Sequence, residues 1–393
     1  MSDKKLTNLD FYEQKTVQFL TELDPIILKD EEKIRHYAYS LLVMAITKHF
    51  WNGNKEGNKK VSYPLNPKDS NEFEFDSYLG HNICAIAVDK NGKVIDFEFN
   101  HNKVFKSSIE HAETRLVRRI YNLAQLHETY KFSDESFQRK DEANTFNDVS
   151  IYTSLESCSQ CSGVMALAKV KEIIYLQEDP GMYKVGNILR NLTKKIVGYN
   201  NNDLEAPLPI SADLFGFSYK KKLEEAYDQF TDDMDRYSAE YKLIEKDEDK
   251  KAEYIKLNRH FSLKDGKPKY SNSLTSFLCT QNAYKIYSEA EEVLKSKDEY
   301  QLLAIIVSNL NANNNVELNS LINNHITLSN EFTRNTDYNW EDFFRVNFSN
   351  EILEYKPDNS NDPEVKNNLE VLREVLSFYK YIKTISSRAT QHK

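Results

Sequence analysis

Two of the four cysteines in this chain of 393 residues, Cys158 and Cys161, form a C-x-x-C pair. Four cysteines cannot build a disulfide framework in a chain of this size, so the close pair indicates metal or redox chemistry. An earlier segment, His111-Ala112-Glu113, adds an imidazole and a carboxylate. The fold must bring these two segments to one centre, and this requirement constrains the architecture more than any other feature of the sequence.

The residue types are those of a catalytic zinc site. Zinc takes four tetrahedral ligands, and a catalytic site draws three from the protein and leaves the fourth position to water. His111, Cys158 and Cys161 would supply the three, and zinc acidifies its bound water to a hydroxide near neutral pH. Glu113 lies two residues beyond the histidine, so its carboxylate can reach the same pocket and move protons there.

Strand and helix patterns alternate around the two motifs. They predict helices over 31–50, from His111 onward, over 158–169 and over 183–195, and strands over 82–89, 94–99, 149–155, 172–176 and 207–210. An Asn-Gly turn joins the first two strands. Both motifs begin helices, whose N-terminal ends favour thiolate and hydroxide. We interpret the charged, turn-rich stretch 131–148 as an inserted loop.

The two motifs resemble the signature of the cytidine deaminase superfamily, H-x-E followed by P-C-x-x-C, in which one His and two Cys bind zinc and the Glu does not. The string L-E-x-C-x-x-C-x-G-x-M from Leu155 to Met165 is most similar to the tRNA-adenosine and guanine deaminase branch. The resemblance covers about residues 30–215 and implies an α/β fold with a three-layer α-β-α core and a mixed five-stranded sheet. Ser157 stands where the family usually has proline, and the stretch between the two motifs is longer than usual.

Four residues are candidates for substrate contacts: Asn100, His101, Ala112 and Ser157. Asn100 ends the second predicted strand, at the spacing before His111 where the adenosine deaminase branch places an Asn that contacts ribose and base. The alternative for Asn100 is an ordinary turn residue at a strand end. The other three adjoin the predicted ligands or Asn100 along the chain.

The acidic balance of the chain bears on the substrate. A formal charge of −9 disfavours broad nucleic-acid binding, which depends on Lys and Arg side chains that neutralise phosphates. Arg115, Arg118 and Arg119 form a basic stripe that could hold a phosphate, although a solvated helix face is commoner. We expect hydrolytic deamination of adenine in a free nucleoside or nucleotide. The alternatives are a cytosine deaminase of dCMP or nucleic-acid type and a non-catalytic, zinc-stabilised assembly module.

The sequence pattern changes near residue 216. Residues 1–30 form a polar lead-in, 31–215 the predicted zinc-dependent deaminase domain, and 216–393 an all-helical accessory domain. Helical patterns there cover 219–260, 274–294, 300–310 and 363–387. With no signal stretch and no apolar run long enough to cross a bilayer, the sequence predicts a cytoplasmic protein that does not enter the membrane. The family resemblance implies a homo-oligomer.

Overall fold

The computed structural model describes residues 26–51, 80–102, 105–131, 145–179, 207–257, 262–264, 267–269, 272–295, 297–312 and 368–385. Most of the predicted lead-in, most of the inserted loop and the predicted helix over 183–195 lie outside these residues.

A mixed sheet of five strands lies at the centre of the fold, as the sequence predicts. Its strands are β1 (Cys84–Val88), β2 (Val94–Phe99), β3 (Ser150–Thr153), β4 (Glu172–Tyr175) and β5 (Leu208–Ser211). They lie in the order β2-β1-β3-β4-β5, with β1 antiparallel to both neighbours and β3, β4 and β5 parallel. Every residue of β1, β3 and β4 is buried, which explains why β1 and most of β4 are apolar runs without alternation.

The turn between β1 and β2 follows the predicted Asn-Gly signal. Gly92 has a φ of +72°, in the left-handed region that glycine enters without steric cost. Its N–H donates to the Asp89 carbonyl over 2.9 Å, and the N–H of Lys93 donates to Asp89 Oδ1 over 2.8 Å. Asp89 therefore accepts both of these hydrogen bonds in the turn of the hairpin.

Helices cover both faces of the sheet and complete the three layers. They are α1 (Asp30–His49) on one face, and α2 (Ala112–Lys131) and α3 (Ser159–Leu167) on the other. Consecutive side chains of a strand point to opposite faces. Tyr152 is hydrogen-bonded to His36 of α1 over 3.1 Å, whereas the next residue, Thr153, reaches Glu113 of α2 over 3.3 Å. The predicted α-β-α core is therefore confirmed.

The described residues after 216 are mostly helical, as predicted. Their helices are α4 (Ser218–Ile244), α5 (Glu248–Leu257), α6 (Leu274–Phe277), α7 (Gln281–Leu294), α8 (Glu299–Ala312) and α9 (Asn368–Thr384). A two-stranded hairpin, Ser262–Lys264 and Lys267–Lys269, adds to them. The pattern over 274–294 is two helices, because the Thr280 hydroxyl accepts the N–H of Ala283 and starts α7 as an N-cap. The predicted domain boundary near 216 stays a prediction.

Helices α7 and α9 pack on the outer side of α1. As a result α1 is buried almost all round from Ile34 to Thr47, which suits a helix that is apolar on every side. At this junction the buried carboxylate of Glu291 pairs with Lys48 at 2.7 Å and Lys383 at 2.9 Å, and accepts the Tyr379 hydroxyl at 3.1 Å. Among the residues that the structure describes, no helix has the length and apolar character of a membrane span.

Candidate metal and catalytic site

Strand order explains why the two motifs meet. Both β2 and β3 run antiparallel to β1, so they run parallel to each other and end at the same edge of the sheet. Asn100 follows β2, and the chain from there leads to His111 at the start of α2. The segment after β3 leads to Cys158, the N-cap of α3, and to Cys161 in its first turn. Two loops and two helix N-termini therefore converge at one edge.

The side chains of His111, Cys158 and Cys161 form one cluster whose possible ligand atoms lie within 4.8 Å of one another. His111 Nδ1 lies 3.4 Å from Cys158 Sγ and 3.6 Å from Cys161 Sγ, and the two sulfurs are 3.6 Å apart. Zinc–ligand bonds of ordinary length at tetrahedral angles place N and S about 3.6 Å apart and two S atoms about 3.8 Å apart. The three donors therefore fit one tetrahedral zinc ion with a fourth position left over.

The electrostatics of the cluster favour a thiolate. A hydrogen bond with Cys161 and a second one with the His111 imidazole lower the pKa of Cys158 to about 4, although burial opposes them. The same hydrogen bond and burial raise the pKa of Cys161. The bond to Cys158 raises the pKa of His111. Thiolate is the form of cysteine that binds metal.

Glu113 lies directly beside the three donors and is buried. Its Oε1 accepts the Thr153 hydroxyl at 3.3 Å and the Ser157 hydroxyl at 3.2 Å, while Oε2 lies 3.4 Å from Cys161 Sγ. Burial raises the pKa of Glu113, because a carboxylate is poorly solvated inside a protein. A carboxyl group with a raised pKa holds a proton more readily, as a group that takes and returns protons must.

Three polar residues around the cluster were missed by the sequence analysis. Thr114 Oγ1 lies 3.5 Å from Cys161 Sγ, and Gln160 Nε2 donates to Thr114 Oγ1 over 3.3 Å and to the Ile109 carbonyl over 3.0 Å. Thr153 is the third, through its bond to Glu113. The one sequence signal for Thr153 is a hydroxyl at the end of a buried strand; Thr114 and Gln160 carry none beyond their position beside the motifs.

Asn100 and Ala112, two of the predicted substrate contacts, meet each other at the start of α2. The Asn100 side chain is buried, and its Oδ1 accepts the N–H of Ala112 over 2.7 Å. This bond satisfies one of the N–H groups that every helix N-terminus leaves free. Asn100 thereby ties the end of β2 to the helix that carries Glu113, and Ala112 is fully buried.

His101 and Ser157, the other two predicted substrate contacts, have different surroundings. The N–H of His101 donates to the Glu110 carbonyl over 2.9 Å, and its ring lies 6.2 Å from the ring of Phe105. Burial and the nearby Arg115 lower the pKa of His101 to about 4, so the ring is neutral at pH 7. Ser157 is buried, and its hydroxyl points to Glu113.

The basic stripe on α2 is neutralised by carboxylates. Ion pairs join Arg115 to Glu98 (3.3 Å) and Glu110 (2.7 Å), Arg118 to Glu110 (2.9 Å), and Arg119 to Asp96 (2.6 Å) and Glu98 (3.2 Å). Arg115 is buried among them. Arg115 and Arg119 hold α2 against β2, while Arg118 pairs with Glu110 of the preceding loop. The stripe is therefore paired with carboxylates.

Domains that bind zinc with one histidine and two cysteines at two helix starts, and keep a glutamate beside the metal, are hydrolytic deaminases of nucleobases. The site of this chain has the same set of donors, at two helix starts, with Glu113 beside them. Residues 71–177 match the family model of the cytidine and deoxycytidylate deaminase zinc-binding region. This part of the chain belongs to the cytidine deaminase-like superfamily, and its cofactor is Zn²⁺.

Two solved structures are similar to parts of the chain. One comes from studies of A-to-I editing by tRNA:A34 deaminases at the wobble position of transfer RNA, with 20% identity over 33% of this chain and 82% of that chain and a TM-score of 0.20. The other is a guanine deaminase from Nitrosomonas europaea, with 14% identity over 55% of this chain and 92% of that chain and a TM-score of 0.22. A search of the curated proteins gives no match. Similarity at this level does not identify a substrate.

Proposed function

We propose that this protein is a zinc-dependent hydrolytic deaminase whose preferred substrate is adenine in a free nucleoside or nucleotide. The observation that carries the proposal is the position of Glu113. Its buried carboxylate lies beside a three-donor set, His111, Cys158 and Cys161, that leaves one zinc position to water. A structural zinc site usually closes all four positions with protein ligands and needs no proton carrier.

The residues of the site divide the reaction between them. His111, Cys158 and Cys161 would hold the zinc ion, which would supply a water acidic enough to act as a nucleophile near neutral pH. Glu113 would take one proton of the water and deliver it to the ring nitrogen as the water oxygen bonds to the base carbon. It would then move the remaining hydroxyl proton to the exocyclic amine, so that the carbon–nitrogen bond breaks, ammonia leaves and a carbonyl remains on the ring. Asn100, whose Oδ1 accepts the N–H of Ala112, is the residue that we expect to contact the nucleoside.

Two observations favour a small substrate. The chain carries a formal charge of −9, and the arginines of α2 are paired with carboxylates of β2 and with Glu110. Binding of a polynucleotide depends on cations that are available to phosphates. Adenine is favoured by Asn100 and by the string from Leu155 to Met165, which resembles the adenosine and guanine deaminase branch.

Cytosine, in dCMP or in a nucleic acid, is the second candidate. The observation in its favour is the family model, which describes the zinc-binding region of cytidine and deoxycytidylate deaminases. The metal chemistry is the same for both bases, and the shape of the pocket separates them.

Product analysis with the zinc-loaded full chain tests the proposal. The panel consists of adenosine, AMP, dAMP, cytidine, dCMP, guanine and transfer RNA, with ammonia release and mass spectrometry of the base as readouts. We expect inosine-type products from the adenine nucleosides or nucleotides, whereas uridine-type products would establish the cytosine candidate. Glu113→Gln should remove activity with zinc content unchanged, while the control Glu178→Gln, at an exposed position, should keep both. Stoichiometric zinc without any product would support the assembly module instead.

A further inference from the structure

Two hydroxyl groups that are not metal donors reach the proposed proton carrier. Thr153 is the last residue of β3, and Ser157 precedes the first metal-binding cysteine. Both side chains are buried, and both donate to the same atom, Glu113 Oε1, at 3.3 and 3.2 Å. One hydroxyl comes from the sheet and the other from the loop that leads into α3, so the carboxylate is held from two separate elements.

Resting on the proposed function, we propose that Thr153 and Ser157 are positioning residues that fix Glu113 Oε1, so that Oε2 is the oxygen that takes and delivers protons. A carboxylate oxygen has two lone pairs. Two hydroxyl donors therefore saturate Oε1. Oε2 is on the side of the metal donors, 3.4 Å from Cys161 Sγ, so it is the oxygen that would face a water held by those donors.

The burial of the Glu113 carboxylate explains why it has two hydroxyl donors. A buried carboxylate without hydrogen bonds loses the solvation that water would give it, and rotation about its last torsion is soft. Two hydroxyls on one oxygen compensate for the lost solvation and select one orientation of the carboxylate plane. The superfamily signature usually has proline at position 157, which carries no donor, so Ser157 gives this chain a contact that the usual signature residue lacks.

Because Thr153 and Ser157 donate to the same oxygen of Glu113, we expect a particular pattern of losses in kcat. Removing one hydroxyl leaves the other in place, so Thr153→Val or Ser157→Ala should each lower kcat about threefold to tenfold. Removing both frees the carboxylate, and the double variant should lose about a hundredfold, the scale of loss expected from misplacing a catalytic group by about 1 Å. KM and zinc content should stay close to those of the wild type, because neither hydroxyl is a metal ligand.

Conservative substitutions distinguish a positioning role of these hydroxyl groups from a merely structural role. Ser157→Thr keeps a hydroxyl and should restore most of the activity, whereas Ser157→Pro, the usual residue of the superfamily, should behave like Ser157→Ala. Ser150→Ala is the matched control. It removes another buried hydroxyl of β3, one that donates to the Glu172 carboxylate away from the cluster. It should lower stability and leave kcat unchanged.

The experiment measures zinc content, kcat and KM for each variant on the substrate identified above, together with crystal structures of the zinc-loaded wild type and double variant. We expect the Glu113 carboxylate to be rotated or disordered in the double variant. A double variant with kcat within twofold of an active wild type overturns the inference. If the double variant does not fold, the two single variants decide by the same criterion. If the wild type deaminates nothing on the panel, the proposed function fails, and an unmoved Glu113 carboxylate in the double variant then overturns the positioning role.

Discussion

Removal of the charge of Glu291 should lower the stability of the protein. Its carboxylate is fully buried in α7, and its partners come from two other helices, Lys48 from α1 and Lys383 from α9. Tyr379 of α9 adds a hydroxyl donor. One carboxylate therefore connects the helix that covers the sheet with two helices of the C-terminal region. Glu291→Gln preserves the shape of the side chain and removes only the charge.

The size of the effect follows from the pKa of Glu291. Burial alone would raise it, but hydrogen bonds from Lys48 and Lys383 lower it from 4.5 to about 2. A pKa difference of one corresponds to about 1.4 kcal/mol, which sets an upper limit of about 3 kcal/mol. The two lysine side chains are 20% and 37% exposed, so water recovers part of the loss when the partner is neutral. We expect a decrease of about 2 kcal/mol in the free energy of unfolding.

Urea unfolding at pH 7 with saturating zinc measures this decrease. Trp51 packs on Tyr284 and Tyr287 of α7 at ring distances of 5.3 and 5.5 Å, so its fluorescence reports on this junction in a Trp340→Phe background. Glu289→Gln is the matched control. Its half-exposed pair with Lys222 should contribute less than about 1 kcal/mol.

The pH dependence of stability tests the direction of the Glu291 contribution. Because the pKa of Glu291 is lowered in the folded state, its contribution is complete above about pH 4.5 and is lost as the pH falls towards 2. The stability difference between wild type and Glu291→Gln should therefore be constant from pH 6 to 8 and shrink below pH 4.5. A variant as stable as the Glu289→Gln control, or a difference that grows in acid, would refute the reasoning.

Three further outcomes are expected. Cys158→Ser should lower the zinc-to-protein ratio well below one by mass spectrometry, because a hydroxyl replaces a thiolate ligand. A Cβ at Gly80 would lie 2.1 Å from the Asn100 carbonyl oxygen, so Gly80→Ala should raise KM, while Gly163→Ala, whose Cβ meets nothing within 4 Å, should not. Gly92→Ala should lower the free energy of unfolding by about 1 kcal/mol or more in urea titrations, since its φ is +72° and a tyrosine hydroxyl lies 3.2 Å from the new Cβ.

The core of the fold could be predicted because its elements carry local signals. Apolar runs placed β1 and β4 within two residues of their observed ends, and the Asn-Gly turn placed the hairpin. The short strand β5 was predicted from four residues and pairs in parallel with β4. The break between α6 and α7 was missed because 274–294 keeps a helical apolar pattern across it. Only the cap formed by Thr280 marks the second start, and threonine is common inside helices too.

The arginine stripe shows what a sequence pattern leaves open. The sequence pattern of Arg115, Arg118 and Arg119 fits a phosphate site or a solvated face, whereas in the structure Glu98 and Glu110 pair with these arginines. The sequence does not reveal these partners. Glu98 alternates with aromatic residues on β2, and this alternation predicts a strand but not which residues the polar face of the strand contacts. Which acids meet which bases depends on how α2 crosses the sheet, and that is a tertiary property.

The same distinction applies to the candidate site. The cluster of His111, Cys158 and Cys161 could be predicted because zinc requires particular ligand atoms, and the spacing of Cys158 and Cys161 at one helix start meets that requirement locally. The pKa and the orientation of the Glu113 carboxyl group could not be predicted, because they depend on burial and on two hydroxyl groups from other segments. A motif therefore specifies which groups meet at the metal, while the surrounding fold sets how readily the carboxyl holds a proton and which of its oxygens faces the reaction. Two chains with the same motif can thus differ in rate through residues such as Ser157 that lie outside the donor set.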